Sequence, residues 1–108
     1  MALFRRRFSE LVDRQLELYA HDHRDEIREI VAALDQHRTS TSEDAQEAFG
    51  DYQDRIDWAA QDLIALRDTY ARTLDEQTAA AYAKAFGRGV RRRFPALARA
   101  VASGDVGA

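Results

Sequence analysis

The sequence predicts an all-α protein: an antiparallel two-helix hairpin with a short C-terminal helix, assembling into a four-helix bundle or larger helical oligomer. Three observations predict it. Ala, Leu, Arg, Glu and Gln dominate the 108 residues, and all are good helix formers. The stripe Phe49, Tyr52, Ile56, Ala59, Leu63, Leu66, Tyr70 and Thr73 advances by alternating steps of three and four, the spacing of a helical seam packed along its length. Alternating runs of β-branched and aromatic residues, the mark of strands, are almost missing from the sequence.

Residues 1–103 form one expected domain, since a chain this short makes a single domain at most. Helix 1 is expected over about 3–37. Its apolar positions Leu11, Leu16, Tyr19, Ile27, Ile30 and Leu34 fall mostly three and four apart. The polar insert HDHRDE at 21–26 interrupts them.

HRTSTSED at 37–44 predicts the turn, placed at 38–41, because Ser and Thr favour caps over helix interiors. Ser40 and Glu43 have capping-box spacing. Helix 2 is expected over about 41–86, with Gly87 as its left-handed C-cap. GRGVRRRF at 87–94 then reads as a connector. Pro95 pushes Phe94 out of the helical region and suits the first turn of a terminal helix at about 95–103. Residues 104–108 read as a disordered tail.

Charge is arranged in blocks. Residues 1–8 carry +3, residues 9–76 carry seven arginines against 18 acids for a net of −11, and residues 77–104 carry +6. Two similar segments, FRRRFSEL at 4–11 and VRRRFPAL at 90–97, bear the basic ends. With a turn near residue 40, residue i lies level with residue 80 − i. The hairpin therefore gathers Arg5, Arg6, Arg7, Lys84, Arg88, Arg91, Arg92 and Arg93 into one basic pole. Close like charges repel within a Debye length of about 8–10 Å, so such a pole calls for an anion. An acidic protein partner, acidic faces of neighbouring copies and an anionic membrane surface all fit. The membrane reading draws on Phe4, Phe8, Val90 and Phe94 beside the arginines. A nucleic-acid backbone fits less well, because the acidic shaft is repelled and no recognition motif is present.

A two-helix hairpin buries one side of each helix. Trp58, Leu18 and Ile64 fall off the main seam and are expected to form an oligomer interface. A weaker alternative folds the terminal helix back over Trp58.

No enzyme activity and no cofactor are expected. Cysteines are lacking, which removes thiolate catalysis and Cys-based metal centres. No Gly-rich elbow accompanies a Ser, and no phosphate loop follows a strand. His21, His23, Asp25 and Glu26 are weak metal candidates beside Asp57, Gln61 and Asp62; the Glu-x-x-His pattern of di-iron bundles is missing. A chain without cysteines is expected in the cytoplasm, and no apolar run approaches the roughly 20 residues of a membrane span. The expected function is therefore non-enzymatic: an assembly or adaptor protein, with peripheral membrane binding as the alternative.

Overall fold

The computed structural model describes the backbone of residues 2–107 and the side chains of residues 8–104. Among these residues there are five helices and no strand: α1 (Ala2–Asp22), α2 (Arg24–Thr39), α3 (Ala45–Ala71), α4 (Glu76–Arg93) and α5 (Pro95–Gly107). The all-α class therefore holds, with five helices in place of three. No helix among the described residues is long and apolar enough to cross a membrane.

α1 and α2 are one helical path bent at His23. The backbone ladder continues through the bend, from His23 N to Tyr19 O at 2.9 Å and from Ile27 N to His23 O at 3.0 Å. The His23 Nδ1 also bonds Tyr19 O, at 3.1 Å. A side chain entering the ladder is a recognised cause of a bend, and His23 departs from helical angles at φ −115°, ψ 27°.

The chain turns back at residues 40–44, and α3 runs antiparallel to α2. Arg55 Nη1 meets Glu29 at 2.7 Å, and His37 Nδ1 lies 3.3 Å from Ala45 O across the turn. The capping detail differs from expectation. Ser40 is the extended C-cap of α2 and bonds Gln36 O. α3 starts only at Ala45, so Ser40 and Glu43 do not open it.

The expected helix over 41–86 is broken at 72–75, which is the main correction. Asp75 is extended (φ −66°, ψ 163°) and its carboxylate accepts from Thr78 N at 2.9 Å and Thr78 Oγ1 at 2.8 Å. That cap starts a new helix. α4 then reverses against α3 and runs parallel to α1: Phe8 packs edge-on to Tyr82, Asp13 meets Arg92, and Tyr19 packs edge-on to Phe94. Thr73, expected to end the seam, is exposed in the turn.

The expected connector at 87–94 is helical through Arg93, and no described glycine has positive φ, so Gly87 is not a left-handed cap. The glycine that matters is Gly89. A Cβ there would lie 2.6 Å from Val12 Cγ1 and 2.9 Å from Leu16 Cδ1, so its lack of side chain lets α4 press onto α1. Phe94 breaks the helix before Pro95 as expected (φ −135°, ψ 65°). α5 continues through Gly107, beyond the expected end at 103 and into the stretch read as a tail. Ala108 lies outside the described residues.

The result is a molecule of 51 × 27 × 21 Å with two unlike regions. α1, the second half of α3, α4 and α5 form a four-helix head around Val12, Leu16, Leu63, Tyr82, Phe86 and Val90, all fully buried. Tyr82 anchors it. Its hydroxyl donates to Gln15 Oε1 at 2.8 Å, and burial pushes its pKa up to about 12. α2 and the first half of α3 form a two-helix shaft whose buried residues are Ile30, Ala33, Ala48 and Ile56.

Candidate functional site

The reversal of α4 decides where the arginines go. Lys84, Arg88 and Arg91 are spaced four and three apart, so they share one face of α4. They line a hollow of about 350 Å³ between α4 and α5, walled by Ala98, Val101 and Ala102. Arg67 of α3 reaches the same hollow. Its residue exposure is 7%, the lowest of any described charged residue, and its Nε donates to Asp68 Oδ1 at 2.8 Å. The hollow's lining thus holds four cationic side chains, with no acid and no histidine.

Such a lining offers hydrogen-bond donors and positive charge. Arginine forks match the two oxygens of a carboxylate or phosphate, and the low-dielectric wall strengthens the pairing. The lining contains no general base and no nucleophile. Arg91, Arg92 and Arg93 also lie in the last turn of α4, where cations suit the carbonyl end of the helix dipole.

Arg92 and Arg93 point elsewhere. Arg92 pairs with Asp13 at 3.0 Å and Arg93 approaches the same oxygen at 4.0 Å. The cluster expected as one pole is therefore divided. Arg91–Arg93 do not project past the open end of a hairpin; the turn at 72–75 carries them back beside residues 13–19. The side chains of Arg5, Arg6 and Arg7 lie outside the described residues. Of the apolar residues expected to enter a membrane, Phe8 and Val90 are buried and Phe94 packs against Tyr19. Phe4 lies outside the described side chains.

Arg67 was not singled out from the sequence, though a signal exists. It follows Leu63 by one helical turn, so it occupies an apolar position of α3, where a charge is exceptional.

The expected oligomer residues separate too. Trp58 (62% exposed) and Leu18 (57%) face outward, joined by Val31 and Phe49. Ile64 does not: α5 lies on it, and a Cβ added to Gly104 would strike its Cδ1. α5 folds back over Ile56, Ala60 and Ile64 rather than over Trp58.

Of the metal candidates, His21 is exposed and its carbonyl accepts from Arg24 at 3.3 Å. Asp25 is exposed and lies 3.8 Å from Arg28. His23 is half-buried, stacked on the Tyr19 ring at 4.2 Å, and it converges with Glu26 and with Asp62 of α3. Burial pushes the Tyr19 hydroxyl well above the ordinary tyrosine range, with Asp62 and Glu26 adding to the shift.

Comparison with protein families, curated proteins and solved structures finds no match to this chain.

Proposed function

We propose that this protein is a non-enzymatic assembly or adaptor protein that holds an acidic segment of a protein partner in the hollow between α4 and α5. The observation that carries this reading is the convergence of Arg67, Lys84, Arg88 and Arg91 on one acid-free hollow. Lys84 to Arg91 spans about 10 Å along α4 at 1.5 Å per residue, the reach of a few extended residues. The wall supplied by α5 is apolar, which favours a peptide carrying apolar residues among its acids.

Trp58, Val31 and Phe49 are exposed on the two-helix shaft and Leu18 on α1; a two-helix shaft buries one side of each helix, and this supports self-association as the assembly half of this function. A second copy covering the shaft would complete a four-helix bundle.

Fluorescence anisotropy with a labelled peptide of alternating Glu and Leu tests the first half. Saturable binding at low salt is expected, weakened several-fold by 0.5 M NaCl and by Lys84→Gln with Arg91→Gln. Both side chains are exposed, so the fold survives. Binding that ignores both substitutions would sink the proposal. Light scattering tests the second half; a strictly monomeric protein at all concentrations would remove it.

A further inference from the structure

At the bend between α1 and α2, two carboxylates from different parts of the chain are brought together beside a histidine. One donor atom from each of His23, Glu26 and Asp62 lies within 4.8 Å of the other two. Among the described residues neither Glu26 nor Asp62 has an ion-pair partner. Two negative charges held side by side repel, and the acidic middle of the chain offers little relief.

The histidine is set as a ligand. Its Nδ1 lies 3.1 Å from Tyr19 O. A carbonyl only accepts, so Nδ1 donates in this bond and Nε2 is the ring nitrogen left for a ligand. A backbone carbonyl holding the second ring nitrogen is the usual support of a metal-binding histidine. The Tyr19 ring stacked on His23 at 4.2 Å further holds its plane.

An independent observation points the same way. Tyr19 is 5% exposed, and its hydroxyl is buried without a hydrogen-bond partner. A buried hydroxyl left unsatisfied is unfavourable. Tyr19 shares a hollow of about 520 Å³ with His23 and Asp62, and Asp62 and Glu26 are the charges that bear on its hydroxyl. A bound ion, or a water that the ion holds, would give that hydroxyl its partner.

We propose that His23, Glu26 and Asp62 bind one first-row divalent metal ion, of which Zn(II) is the best match. One imidazole and two carboxylates are borderline-to-hard donors, suited to Zn(II), Co(II) or Mn(II) and unsuited to soft Cu(I). Ligands of one tetrahedral ion at about 2.0–2.2 Å sit about 3.3–3.6 Å apart, so a rotamer adjustment of two exposed carboxylates closes the site. With three protein ligands a coordination position stays open. The ion ties the α1–α2 bend to α3 and is independent of the basic hollow.

Titration calorimetry of the metal-stripped full chain with zinc chloride tests this, alongside visible absorption on adding Co(II). One ion per chain is expected, with intense d–d bands of a low-coordinate Co(II) site and a rise in Tm on binding. Asp62→Asn and Glu26→Gln, both at exposed positions, should each weaken binding at least about tenfold, as should His23→Gln. His21→Gln and Asp25→Asn should bind as the parent does. Failure to saturate below about 100 μM Zn(II), or parent-like binding by both Asp62→Asn and Glu26→Gln, would overturn the proposal. Circular dichroism establishes that each variant is folded, and the two carboxylate variants decide the matter if His23→Gln is not.

Discussion

Phe49 and Leu63 belong to the same apolar stripe of α3. Leu63 is fully buried, while Phe49 is 48% exposed and touches only the edge of the shaft near His37, with ring centroids 5.3 Å apart. The two positions have the same periodicity and different numbers of neighbours. Around Leu63 the head packs α4 and α5 on α3, with Val12 and Leu16 of α1 in the same core; beside Phe49 the shaft supplies α2, through His37. A regular stripe therefore reports which face of a helix is apolar. How deeply that face is buried depends on how many layers the rest of the chain can place over it.

The largest contrast should come from core truncation. Phe86→Ala in the head is expected to cost about 3–5 kcal/mol, the range for a buried phenylalanine. Ile30→Ala in the shaft should cost about 2 kcal/mol, at the low end for its class, since the surroundings are open enough to adjust. Urea unfolding measures both. Equal losses would mean that the shaft is packed on a further partner in solution, which would sharpen the self-association proposal.

Glycines separate the regions next. Gly89→Ala adds a methyl against Val12 and Leu16 and should destabilise by about 1–3 kcal/mol despite better helix propensity. Gly50→Ala in the shaft meets nothing within 4 Å and should stabilise by up to about 1 kcal/mol. A stabilising Gly89→Ala would show that α4 does not press on α1 as described.

A smaller effect belongs to the cap that starts the head's reversal. Asp75→Ala should lower Tm by about 4–8 °C. The Thr78 backbone N–H holds the Asp75 carboxyl below the ordinary carboxylate range. A depressed pKa stabilises the fold above the ordinary value of 3.8, and the contribution fades as pH falls through the lower folded value. The gap between parent and variant should therefore close in acid. A gap that is flat down to pH 2 would show that the cap acts through its geometry alone.

The smallest change in stability is expected at Trp58. Trp58→Ser should shift unfolding by no more than about 0.5 kcal/mol in dilute solution, as at most exposed sites. The parent emission should move to shorter wavelength as concentration rises if the shaft self-associates. Trp58 is the chain's single tryptophan, so the signal is unambiguous. Emission that is independent of concentration would count against a shaft interface through this residue.

Much of the local structure was legible. The Ser/Thr-rich bend, the break at Phe94–Pro95 and the helical character of every long segment follow from capping, the proline ring and apolar spacing. The reversal at 72–75 leaves little trace in the sequence, because the seam steps continue through Tyr70 to Thr73 and the cap of Asp75 on Thr78 is a weaker mark than a glycine or proline. Its omission set Lys84–Arg93 beyond the start of α1 rather than alongside it. It also hid Arg67, whose neighbours in the hollow depend on α4 and α5 lying across α3. The convergence of His23 and Glu26 with Asp62 was closer to reach, since a hairpin register already set those segments side by side.

From the sequence alone came the helices, the turn that returns the chain and the basic–acidic–basic order of charge, because each depends on interactions within a few residues. Only the tertiary structure decided which arginines share a hollow, which apolar residues stay wet and which carboxylates meet. Those outcomes depend on the direction in which α4 leaves its cap and on the close approach allowed at Gly89. Both are set by packing between residues far apart in the chain, which no local pattern records.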